Sequence, residues 1–132
     1  MAAVLDTHAA VWYLLKSPSL SSNALYAIER ALQSGEPVFV PSICLVEIIY
    51  LVEKCRLPMA ALDRLMMAFD IQSMALRVAP LDVDTAMFIK QIPRDAVPDM
   101  PDRIIAATAL RLGLPLVSRD QRMTTAGIEI IW

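Results

Sequence analysis

Four carboxylates stand where an apolar chain offers them little water: Asp6 after A-A-V-L, Glu47 inside I-C-L-V-E-I-I-Y, Asp102 ahead of R-I-I-A-A, and Asp120 after P-L-V-S-R. A charged group in low-dielectric surroundings needs a partner, and with no lysine or histidine beside most of these positions a divalent cation is the economical one. Two carboxylates about 4 Å apart repel by roughly 4 kcal/mol at an effective dielectric near 20, so an unpartnered cluster strains the fold. Mg²⁺ or Mn²⁺ relieves that strain, takes oxygen ligands, keeps waters and suits phosphodiester hydrolysis best.

Each acid also has a plain structural reading. Asp6 precedes a helix and is a favoured cap residue, and Asp102 falls in the first turn of a helix, where negative charge is stabilised without any function. Asp99 can cap that same helix, and Asp120 can be an ordinary turn residue. Glu47 is the sharpest anomaly, because Ile43 and Leu51 lie four residues to either side on one apolar stripe. Its plain reading is a glutamate that reaches solvent or bonds to the backbone.

The elements that must position these acids follow from the hydrophobic pattern. Short apolar runs at Ala2 to Asp6, Val38 to Val40, Val78 to Leu81, Leu116 to Ser118 and Ile128 to Ile131 read as strands, and longer helical patterns alternate with them. That alternation predicts an α/β fold with a short parallel sheet, which places Asp6 and Asp120 at the same carboxyl edge. Helices are expected from Thr7, as cap, through Lys16; from Ser21 or Ser22 to about Ser34, with Gly35 as stop; from Pro41-Ser42 to Arg56; from Met59 to Leu76; from Val83 to Ile92; and from Pro101 to Gly113. A last short helix is expected over residues 120 to 126.

Composition narrows the class. The 132 residues, 57% hydrophobic with 3 glycines, predict a single domain spanning 1–132 with a rich interior and dominant helices. A net charge of −2 provides no global positive field for a polyanion, so nucleic-acid binding must rest on local basic groups or bound cations. Cys44 and Cys55 lack metal-ligand spacing and read as buried free thiols in a reducing compartment. The most apolar stretch, residues 43 to 52, carries Glu47 at its middle, so no membrane span is expected and a cytoplasmic location is.

The blocks L-D-T-H at 5 to 8, P-S-I-C-L-V-E-I at 41 to 48, P-D-R-I-I-A-A-T-A at 101 to 109 and G-L-P-L-V-S-R-D at 113 to 120 resemble a PIN domain. The closing G-I-E-I-I-W is similar to the end of VapC-type toxins of bacterial toxin-antitoxin modules. The resemblance spans essentially the whole chain. It implies a three-layer α/β/α fold and a Mg²⁺- or Mn²⁺-dependent endoribonuclease, the toxin of a type II pair. The catalytic and metal-holding roles then fall on Asp6, Glu47 and Asp102, with the more variable fourth acid at Asp120, and accessory positions at Asp99, Thr7 and Ser118. One or two cations are expected, with Glu47 binding metal or orienting the attacking water.

Around this constellation, His8 reads as a packing residue, as do Trp12, Tyr13 and Trp132. Arg103, Arg119 and Arg122 read equally well as ion-pair partners and as phosphate contacts. Met59, Leu62, Met66 and Phe69 recur at helical spacing on one arm of a helical hairpin. The likeness reads that hairpin as the seat of an antitoxin segment, and it implies a homodimer and an RNA substrate. The competing reading is a noncatalytic PIN-like module that binds RNA or protein. A phosphoacceptor receiver domain is excluded, since Lys16, Lys54 and Lys90 all lie far from the last strand.

Overall fold

The structure is a computed structural model that describes residues 1–70 and 75–132. Strand β1 (Ala3–Leu5) is buried throughout, as a run without a polar residue requires in a sheet covered on both faces. Asp6 ends it and caps α1 (Thr7–Leu14), its carboxylate accepting from the Ala9 amide at 2.8 Å. The cap is therefore Asp6 rather than Thr7, whose buried hydroxyl reaches another helix.

Ser21 caps α2 (Ser22–Gln33), and Gly35 leaves it at a φ of +70° that other residues rarely adopt. Strand β2 (Val38–Pro41) leads into α3 (Ser42–Glu53), and Pro58 opens α4 (Met59–Ala68), so the two form the expected hairpin. Helix α4 ends at Ala68, well short of the Leu76 that its apolar pattern predicts. Residues 71–74 of that expected helix lie outside the described residues.

Strand β3 (Arg77–Ala79) stops before Pro80, which has no N–H for a ladder. Asp82 caps α5 (Val83–Phe88), and a 3₁₀ turn at Ile89–Gln91 tightens the approach to Pro93. Asp99 caps α6 (Met100–Leu112), which carries Pro101 in its first turn and ends on Gly113 at φ +67°. Strands β4 (Leu116–Val117) and β5 (Ile130–Ile131) flank a 3₁₀ turn at Gln121–Ala126.

All five strands are parallel, in the order β3-β2-β1-β4-β5. Helices cover both faces in a three-layer α/β/α arrangement, with α2 against β1, β2 and β5, and α3 and α6 against β2 and each other. From β1 the chain builds outward through β2 and β3, then returns to start β4 on the opposite side of β1. The junction of β1 and β4 is thus the topological switch point, where open α/β sheets form a crevice outside the carboxyl ends of their strands. Among the described residues no helix is long and apolar enough to cross a membrane.

Arg103 ties α6 to the segment before it. Its Nη2 donates to the carbonyls of Ile89 and Ile92, both at 3.0 Å, and its Nε is buried with no partner among the described residues. Among the described residues it forms no ion pair, and backbone carbonyls engage its Nη2. Lysine has one compact ammonium and no planar fork, so Arg103→Lys is expected to cost about 1–2 kcal/mol. Urea unfolding reads this as a lower midpoint at unchanged slope, and an unmoved midpoint would remove the tie.

Candidate active site

The switch-point crevice is a cleft of about 260 Å³ lined by Asp6, His8, Trp12, Asp102, Arg119, Asp120 and Arg122. Each acid arrives by a different local device. Asp6 is the residue at which β1 becomes α1; Asp102 sits in the first turn of α6; Asp120 follows β4 and caps the 3₁₀ turn by accepting from the Arg122 amide at 3.0 Å. Register brings the first and last together, because Leu5 pairs with Val117 and the Asp6 amide donates to the Val117 carbonyl at 3.2 Å.

Electrostatics mark the acids as one cluster. Burial raises the pKa of Asp6 and Asp120 adds to the rise, while Ser118, the Ala9 amide and His8 favour the ionised form. Asp102 is pushed up to about 6, chiefly by burial, then by the charges of Asp99, Asp120 and Glu47, against a lowering pull from Arg122. Asp120 moves the other way, because Arg122 grips it: Nη2 lies 2.5 Å from Oδ2 and Nε 2.9 Å from Oδ1. The same Nη2 reaches Asp102 at 3.4 Å. Arg122 is thus the local counter-charge for two of the four acids.

Glu47 does not line that cleft. It opens onto an adjoining one of about 580 Å³ shared with Thr7, His8, Tyr50 and Met100, and its Oε1 accepts from the Thr7 hydroxyl at 2.6 Å. Asp102 nevertheless feels its charge. Ser118 is fully buried at the end of β4, its hydroxyl accepting from the Asp120 amide at 3.0 Å, and Asp99 accepts from the Asp102 amide at 3.2 Å. Cys44 lies buried behind the site and burial pushes its thiol well up, whereas Cys55, expected to be buried too, is exposed in the turn after α3.

A hard cation suits this all-oxygen, multiply anionic donor set. As the side chains stand, however, no group of three His, Cys, Asp or Glu among the described residues is placed to hold an ion. Here Thr7 bonds to Glu47, and the Arg122 guanidinium, half exposed, pairs with Asp120 and Asp102.

Of the hairpin residues, Met59 and Met66 are exposed while Leu62 and Phe69 are partly buried against the core. Sequence reasoning gave Trp12 only a packing role. It does pack, against Trp132 and His8, but it also lines the acidic cleft and a separate apolar cavity of about 610 Å³ with Leu20, Leu25 and Met67. It stands on α1, the helix that Asp6 caps, and its packing against Trp132 brings it to the cleft.

A parallel sheet of order 3-2-1-4-5 with acids at its switch point defines the class. The chain belongs to the PIN domain family, whose model matches residues 3–128. It is similar to ribonuclease VapC22 of Mycobacterium tuberculosis, 30% identical over 122 residues that cover 91% of this chain and 88% of the relative. Three solved complexes share the fold. The toxin-antitoxin complex VapBC2 of Rickettsia felis, bound to a promoter DNA fragment, has a TM-score of 0.74 at 16% identity, covering 98% of this chain and 97% of that one. FitAcB of Neisseria gonorrhoeae scores 0.68 at 20% identity, covering 97% and 95%. DNA-bound VapBC of Salmonella typhimurium scores 0.68 at 23% identity, covering 98% and 96%.

Proposed function

We propose that this protein is a Mg²⁺- or Mn²⁺-dependent endoribonuclease that acts in the cytoplasm as the toxin of a type II toxin-antitoxin pair. The observation that carries the reading is the meeting of Asp6, Asp102 and Asp120 in one cleft at the switch point, two of them pushed up by burial and mutual repulsion. The relative named a ribonuclease supports it. A divalent ion, when bound, would supply a water of lowered pKa and positive charge to offset the phosphate. Asp6, Asp102 and Asp120 would hold the ion, and Glu47, steadied by Thr7, would add a ligand to it or orient the attacking water. Ser118 fixes the Asp120 backbone, and Asp99 sets the start of α6 while adding negative charge. Cleavage leaves a 5′-phosphate and a 3′-hydroxyl.

The antitoxin is proposed to cover the apolar hairpin, where Val46, Tyr50, Met59 and Met66 are exposed, and structural neighbours are toxin-antitoxin complexes. A second copy of the chain is proposed along the β3 and α5 edge, where Val78, Leu81, Val83 and Met87 are exposed. The test of the central reading is cleavage of single-stranded and structured RNA with Mn²⁺ and with chelator. One observation favours the noncatalytic module instead, namely that among the described residues no three acids are placed to hold an ion; folded parent protein that leaves RNA intact in Mn²⁺ would favour that reading.

Arg122 gives an independent check on the ion. Arg122 and a cation compete for the same oxygens, and an exposed arginine is a weak competitor. Arg122→Gln is therefore expected to tighten Mn²⁺ binding roughly fivefold by calorimetry without RNA. Equal or weaker binding would show that the acids and the arginine do not form a shared ion site.

A further inference from the structure

Three arginines flank the acids, and two are engaged. Arg103 is held by backbone carbonyls and Arg122 by Asp120 and Asp102. Arg119 is exposed, and among the described residues no protein group accepts a hydrogen bond from it. Its backbone is fixed on both sides, since the Ser118 amide donates to the Ile131 carbonyl at 3.2 Å and the Asp120 amide to the Ser118 hydroxyl at 3.0 Å.

Its side chain is placed as well. The guanidinium carbon lies 5.2 Å from the centroid of the Trp12 ring. Trp12 is buttressed in turn by Trp132, with centroids 5.7 Å apart at 54°, and by His8 at 5.4 Å and 38°. Arg119 and Trp12 line the same cleft as Asp6, Asp102 and Asp120. An arginine beside a cluster of carboxylates ordinarily pairs with one of them. This one instead lies over an aromatic ring at the wall of the cleft.

From this geometry we propose that Arg119, held against Trp12, grips a phosphate of the substrate strand next to the one that is cleaved. The proposal rests on the ribonuclease reading and names a binding group within it. The planar fork offers two parallel N–H groups to two nonbridging oxygens, which an ammonium cannot do. Stacking on the ring restricts the side chain beforehand, so less freedom is lost on binding. With a net charge of −2 the chain attracts a polyanion only through such local groups.

The experiment measures binding of a fluorescent single-stranded oligoribonucleotide in chelator across a KCl series, with parent protein, Arg119→Ala and Arg119→Lys. Arg119→Ala is expected to weaken binding about tenfold. The slope of log affinity against log salt should shrink by about 0.7, the value for one phosphate on a single strand. Arg119→Lys should keep the slope and lose much of the affinity. In Mn²⁺, the KM of Arg119→Ala should rise with kcat within about twofold of the parent, and Mn²⁺ affinity without RNA should not move. If the parent binds and cleaves RNA while Arg119→Ala keeps its slope and affinity, the arginine has no such role. If the parent neither binds nor cleaves RNA, the ribonuclease reading falls and this proposal with it.

Discussion

Asparagine at position 6 is expected to reduce RNA cleavage by on the order of 10³-fold or more while leaving the protein folded at least as stably as the parent. The two halves of this expectation have separate causes. The Asp6 carboxylate is proposed to hold the cation with a full negative charge, which a neutral amide does not supply. Its structural work needs no charge, because asparagine caps helices as well as aspartate and retains a carbonyl oxygen for the Ala9 amide, now met at 2.8 Å. Burial opposes the ionised form of Asp6, and removing that charge relieves the penalty. Gel-based cleavage in Mn²⁺ alongside thermal melting reads both. Cleavage within tenfold of the parent would remove Asp6 from the site, and a lower melting temperature would mean that the cap or the burial argument is wrong.

The second large effect is an exchange between protons and divalent ions. The folded pKa of Asp102 stands at about 6 against the ordinary 3.8, so between those values the native state binds more protons than the unfolded chain. Stability in chelator therefore falls as pH rises through that window, by about 2–3 kcal/mol for this group, and is flat above it. Asp6 is shifted in the same direction and adds to the fall. Asp120 is shifted downward by Arg122, so its contribution is present at neutral pH and is lost as pH drops through the ordinary carboxylate range. The chelated protein is accordingly expected to be more stable at pH 4.5 than at pH 7. Mn²⁺ at about 100 times its dissociation constant adds roughly 2.7 kcal/mol at pH 7 and little at pH 4.5, where protons compete for the same oxygens. Melting curves at both pH values, with Mn²⁺ and with chelator, test this. Identical curves at pH 7 would exclude a cation site among these acids.

The frame of the molecule was legible because it depends on local signals. Short apolar runs and helical patterning located the five strands and six helices, Ser21, Asp99, Gly35 and Gly113 marked helix ends by their own backbone chemistry, and parallel order placed Asp6 and Asp120 on one edge. Helix α4 was overextended because its apolar spacing continues past Ala68, and periodicity does not say where packing against α1 and α3 ceases. The fates of Arg103, Arg119 and Arg122 were not legible. All three stand within two residues of an acid, yet backbone carbonyls, an indole ring and two carboxylates divide them, through contacts set by strand register and helix packing. Glu47 was recognised as anomalous, but its partner Thr7 lies forty positions away and only the fold brings the two together.

The dual employment of Asp6 also constrains how this site can decay. One of its oxygens closes the first turn of α1, so replacement by alanine or leucine unpins the helix at a cost of about 1 kcal/mol even where cleavage no longer matters. A descendant that had abandoned catalysis would still be held to the few side chains able to cap a helix. Silenced copies should therefore carry asparagine, serine or threonine at this position, and inactivation would leave a polar fossil of the original acid.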